Sequence, residues 1–240
     1  HEEVQYEYPV PNLPADSSTV DFPKSGNFTL IDDFKTNKLD PYWIFVRVPQ
    51  EKWYSTDTLN GGITLNLRPE TAGGKSNPSF LARRQQHLNG VIETEMVFTP
   101  KDQGEKAGLL IFQNETHHLF FGEQLDENNQ PALVLSKSND KGELETLATQ
   151  ALKETPLAIS LKVAFDKNKF TFAYSLNNSK QWETLKEFNE GEFLSTREAG
   201  GFVGTTMGLY ATSSGKTSEN IATFKHFIYT GNDSLITSGK

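Results

Sequence analysis

From Val91 to Phe98 the chain alternates with period two. Val91, Glu93, Glu95 and Val97 fall on one face, and Ile92, Thr94, Met96 and Phe98 on the other. That pattern predicts a strand with one face in a core. Comparable short runs recur along the chain, separated by turn signals, and no stretch sustains a helical period. Asn27–Ile31, Tyr42–Val48 and Ile63–Leu67 read as strands, the last entered through the Gly61-Gly62 turn. Ala107–Gln113 is a short apolar run of the kind a fully buried strand shows. Ala132–Ser136 with Glu143–Ala148, and Leu157–Phe165 with Lys169–Leu176, predict hairpins. Trp182–Phe188 is a further strand, with Trp182 expected in the core. Thr149–Glu154 and Phe193–Glu198 are the two short helical candidates. The pattern predicts an all-β fold, two antiparallel sheets packed as a sandwich.

The chain has 240 residues, which fits one large β domain over residues 26–240. Residues 1–25 hold Pro9, Pro11, Pro14 and Pro23 and read as an extended linker arm. The net charge is −8, which argues against nucleic acid as a partner, since that needs a basic stripe. It also argues against an anionic membrane surface, and no apolar run approaches the ~20 residues of a membrane span. There is no cysteine, so disulfide and thiol chemistry are excluded.

Candidate chemistry concentrates in Ser79–His87. Phe80 and Leu81 lead directly into Arg83, Arg84, Gln85, Gln86 and His87, more donor chemistry than a core-closing strand needs. On a strand Arg83 and Arg84 point to opposite faces, so one is expected to turn inward or into a domain interface. An inward arginine needs partners, because an unpaired buried charge is costly. With Gln86, His87, Gln113, Asn114 and His118, these arginines supply the planar polar groups that bond sugar hydroxyls. Trp43, Trp53, Tyr54 and Phe202 could supply stacking rings, although core packing is the plainer reading of the tryptophans. Ala199–Gly208 carries four glycines around Phe202, so that ring is either a local plug or is projected outward. Glu93 and Glu95 share one strand face and are the only pair offered for two-carboxylate glycoside chemistry. Solvated surface carboxylates are the plainer reading of both. His117 and His118 are adjacent, so they cannot chelate a metal together from a strand.

PSFLARRQQH, ETEMVFTP, AGLLIFQNE and GGFVGTTMGLYAT, with an opening DDF…LDPYWIFVRVP and a closing ATFKHFIY, resemble a known domain. It is the C-terminal concanavalin A-like β-sandwich of glycoside hydrolase family 43, the β-xylosidases and α-L-arabinofuranosidases. The resemblance covers roughly residues 28–229 and implies a jelly-roll sandwich. It further implies a partner, a five-bladed catalytic propeller upstream in the native chain, which carries the catalytic acids. This domain alone would then be non-catalytic, with a plant cell-wall oligosaccharide as the substrate it helps to hold. Phe202 matches the aromatic residue that such a sandwich lends to the pocket rim. A bacterial periplasmic or extracellular location is expected. The readings that compete are a free-standing carbohydrate-binding lectin and a sandwich-fold glycosidase in its own right. Asp32 and Asp33 match the opening acids of a calcium site found in related sandwiches. Thr223 and Lys225 stand where closing acids would be, so no cofactor is expected.

Overall fold

A computed structural model describes residues 26–234. Residues 1–25, where the sequence predicts a linker arm, lie outside the described residues, as do residues 235–240. In chain order the first strands are β1 (Phe28–Asp32), β2 (Ile44–Phe45), β3 (Tyr54–Thr56), β4 (Ile63–Asn66) and β5 (Ser79–Arg84). Next come β6 (Asn89–Val97), β7 (Lys106–Asn114), β8 (His117–Leu125), β9 (Pro131–Ser138) and β10 (Leu144–Ala151). The last five are β11 (Ile159–Asp166), β12 (Lys169–Leu176), β13 (Glu183–Phe188), β14 (Thr206–Thr212) and β15 (Ile221–Gly231). Eight form one sheet in the order β13-β12-β11-β6-β15-β4-β3, with β1 added along β15. Seven form the other, β10-β9-β8-β7-β14-β5-β2, and the pairings are antiparallel. The two hairpins predicted from the sequence are β9–β10 and β11–β12.

The two sheets bury their side chains differently. In the eight-stranded sheet Ile159, Leu161, Val163 and Phe165 of β11 face the core, while Ser160 and Lys162 face outward. That is the alternation expected when one face meets water. The seven-stranded sheet is covered on both faces. Leu81, Leu109, Ile111, Leu119, Phe121 and Leu209 pack into the core between the sheets. Phe80, Leu110, Phe112, Phe120 and Tyr210 form a second cluster on the far face. The loop after Arg68 roofs that cluster with Ala72, whose N–H donates to the Tyr210 hydroxyl at 3.1 Å. This double coverage is why β7 reads as an unbroken apolar run.

Three expectations are corrected. Thr149–Ala151 is not helical but part of β10, paired with β9, so tertiary pairing overrides local preference. Within Tyr42–Val48 only Ile44–Phe45 is strand, because Arg47 takes a left-handed φ of 66°. Trp182 is not in the core: it is 38% exposed, with the Lys162 ammonium 3.8 Å from its ring centre. Trp43 and Trp53 are buried, as the plainer reading expects. The Phe193–Glu198 candidate falls across a 3-10 turn, Gly191–Leu194, and a single helical turn, α1 (Thr196–Ala199).

Candidate functional site

On β5, Leu81 and Arg83 share the face that looks between the sheets, and Arg83 is 1% exposed. Its guanidinium carbon lies 4.0 Å from the centre of the Tyr229 ring, and Phe28 and Tyr42 flank it at 5.5 and 5.7 Å. Desolvated cation–π contacts of this kind are each worth roughly 2 kcal/mol. Nη2 donates to Gln86 Oε1, Nε approaches the Arg84 carbonyl at 3.5 Å, and Nη1 is buried without a hydrogen-bond partner. Burial pulls the guanidinium below its usual pKa, opposed by the Tyr229 and Tyr42 hydroxyls. The expected partner for an inward arginine is therefore a set of aromatic faces rather than a carboxylate. Arg84 is exposed and stands opposite Thr206 of β14.

His87 is buried, and both its nitrogens are committed. Nε2 donates to the Gly26 carbonyl and Nδ1 accepts from the Tyr229 hydroxyl, each at 2.9 Å. The same hydroxyl accepts from the Gln86 N–H at 2.9 Å. Gly231 makes room for this ring, since a Cβ there would lie 2.0 Å from Nδ1. His87 thus has no polar edge left for a sugar, which corrects its place among the expected contact residues. Tyr229, the hub of this arrangement, was not singled out from the sequence. Alternation running on from Phe224 would turn Tyr229 outward; the irregularity between Phe224 and Phe227 brings it inward.

The segment entering β14 presents Phe202, fully exposed, with Val203 beside it more than half exposed. Gly200 and Gly201 hold φ of 73° and 74°, which only glycine adopts easily. Gln113 and Asn114 reach this segment from the end of β7. Gln113 Nε2 donates to the carbonyls of Gly200 at 3.1 Å and Val203 at 2.9 Å, and Asn114 Nδ2 donates to that of Ala199 at 2.9 Å. A cavity of about 380 Å³ opens between Gln85, Gln86, Ser195, Thr205 and Asp233, without lining from the loop itself. Arg84, Gln86, Gln113, Asn114 and Phe202 therefore gather at one end of the sandwich.

His118 is turned elsewhere. Its ring lies beside Phe112 on the roofed face, and Nδ1 donates to the Asn114 carbonyl at 3.3 Å. Burial lowers its pKa to about 4, so it is neutral at pH 7. It lines a separate cavity of about 320 Å³ with Lys106 and Tyr210.

The two opening acids do not fit a calcium ion. Asp32 Oδ2 accepts from the Tyr42 hydroxyl at 2.8 Å and Trp43 Nε1 at 2.7 Å, and Oδ1 accepts from the Phe34 N–H at 2.8 Å. Asp33 pairs with Lys35 at 2.9 Å. Among the described residues no group of three or more His, Cys, Asp or Glu is placed to hold a metal. Glu93 pairs with Lys162 at 3.3 Å on the water-facing side of β6, as the plainer reading of a surface carboxylate expects.

Residues 31–230 match the model of the β-xylosidase C-terminal concanavalin A-like domain. Among curated proteins, the chain is 30% identical to a xylosidase/arabinosidase of Butyrivibrio fibrisolvens, covering 81% of this chain and 36% of the relative. It is 25% identical to a non-reducing end α-L-arabinofuranosidase of Bacteroides ovatus, again spanning 82% of this chain and 36% of the relative. The chain thus spans about a third of the length of the curated relatives it matches. Among solved structures, a xylan β-1,4-xylosidase from Bacillus halodurans shares the fold with a TM-score of 0.75 at 23% identity. That match covers 92% of this chain and 41% of the other. The family model spans nearly all of the described sandwich, and the chain belongs to the C-terminal concanavalin A-like domains of glycoside hydrolase family 43, an accessory rather than a catalytic module.

Proposed function

We propose that this sandwich docks on an upstream catalytic propeller in a glycoside hydrolase acting on xylan- or arabinose-containing polysaccharide. In that enzyme it shapes the rim of the substrate pocket, with Phe202 as the residue it contributes. The observation that carries this reading is a fully exposed phenylalanine held on an anchored loop at one end of the fold. Phe202 and the neighbouring Val203 form an apolar projection that the sandwich leaves uncovered, which is available to pack against a second domain. The relatives' names, a xylosidase/arabinosidase and an arabinofuranosidase, supply the substrate class. Such an enzyme would work in the periplasm or outside a bacterial cell. The test is Phe202→Ala in the enzyme that carries both domains, assayed on aryl xylosides and arabinofuranosides. A changed KM or kcat with an unchanged melting temperature is expected. Unaltered kinetics on both substrates would overturn the rim assignment.

A further inference from the structure

We propose that Gln113 and Asn114 are positioning residues that hold the Ala199–Gly204 loop in the one geometry that presents Phe202. The link to substrate rests on the function proposed above; the clamp itself does not.

The glycines of the loop and Phe202 pack against nothing. Where Gly200, Gly201 and Gly204 would carry a Cβ, nothing lies within 4 Å, and Phe202 touches solvent on all sides. A segment so rich in glycine loses more entropy on ordering than other residues do. What restrains it comes from β7. Gln113 is 6% exposed, and its amide donates to two carbonyls, one on either side of Phe202. The orientation of Asn114 is set by its other end. Oδ1 accepts from the Thr116 N–H at 3.0 Å, which turns Nδ2 toward the Ala199 carbonyl.

Successive residues on a regular strand point to opposite faces, so Gln113 and Asn114 would not both reach one loop. The β7–β8 ladder explains why they do. Phe112 pairs with His118 and Asn114 with His117, which leaves Gln113 as the extra residue of a bulge. Bulges re-aim side chains in this way.

Gln113→Glu and Asn114→Asp keep size and shape but set a carboxylate oxygen against a carbonyl. In this chain, backbone order parameters at Gly201–Gly204 are expected near 0.85 and should fall below about 0.6 in Gln113→Glu, with β7 and β14 unchanged. A parent loop already below that value, or variants with unaltered order parameters, would overturn the clamp. In the two-domain enzyme, Gln113→Glu should lower kcat/KM by about tenfold or more, as misplacing a contact group does. The double variant with Phe202→Ala should then be no worse than Phe202→Ala alone, because both act through one ring. Multiplied losses would show that Gln113 acts by another route and overturn the proposal. If Phe202→Ala is silent, the rim reading fails, and the order parameters decide the clamp.

Discussion

Arg83 and Phe202 stand at the same end of the seven-stranded sheet and break the usual burial rule in opposite senses. Arg83 is a cation enclosed by the fold, and Phe202 is an apolar ring left wholly in solvent. The enclosure works because Tyr229, Phe28 and Tyr42 offer ring faces where a carboxylate would otherwise be needed. The exposure works because hydrogen bonds to backbone carbonyls, not apolar contacts, hold the loop. One departure belongs to the stability of the domain, and the other is available for contact with a neighbour. Glu123 offers a third case at the opposite end of the same sheet. It is buried on the inner face of β8, between Ala107 and Leu133, and neither carboxyl oxygen has a partner.

Substitution should separate these roles, and the largest effect is expected at Arg83. Arg83→Ala should destabilise the domain by about 3–5 kcal/mol in urea unfolding, as for other large buried side chains. Arg83→Met should recover most of that loss, because an apolar chain of similar volume leaves no buried donor unpaired. If Met is as damaging as Ala, the charge over Tyr229 is itself the stabilising element.

At Glu123, burial raises the pKa from 4.5 to about 8. Between those values the folded state keeps a proton that the unfolded state has lost. Stability should therefore be full below pH 4.5 and fall as pH rises toward 8. The expected slope is about 1.4 kcal/mol per pH unit within the window. Unfolding measured at several pH values should show this slope in the parent and its disappearance in Glu123→Gln. An equal slope in both would assign it to other groups.

A smaller loss is expected at the hub beside Arg83. Tyr229→Phe removes the hydroxyl that accepts from Gln86 and donates to His87, leaving the buried His87 Nδ1 without its donor at a cost of about 1–3 kcal/mol. A neutral result would mean that water replaces the hydroxyl. Phe202→Ala should change the stability of the isolated chain by no more than about 0.5 kcal/mol, as surface substitutions do. A loss of several kcal/mol would mean that the ring packs on the sandwich in solution, and the contrast with Arg83 would collapse.

The sequence alone determined most of the strands, the two hairpins, the sandwich and the family. These depend on alternation, turn residues and short motifs, all of which are local. It also narrowed the arginine choice to one inward residue, since neighbours on a strand must face opposite ways. Tertiary structure decided which one, because Arg83 shares a face with Leu81 and meets Tyr229, a residue remote in sequence. It decided that Trp182 faces outward beside Lys162, and that the loop after Arg68 roofs a second apolar cluster. It decided how β15 buries both Phe224 and Phe227, through an irregularity between them that resets the alternation. It also brought Gln113 and Asn114 to a loop more than eighty residues away, through a bulge that no period-two reading foresees. The division follows from the physics: a strand's periodicity is written in consecutive residues, whereas register, bulges and the occupant of each face depend on which distant segment packs against it.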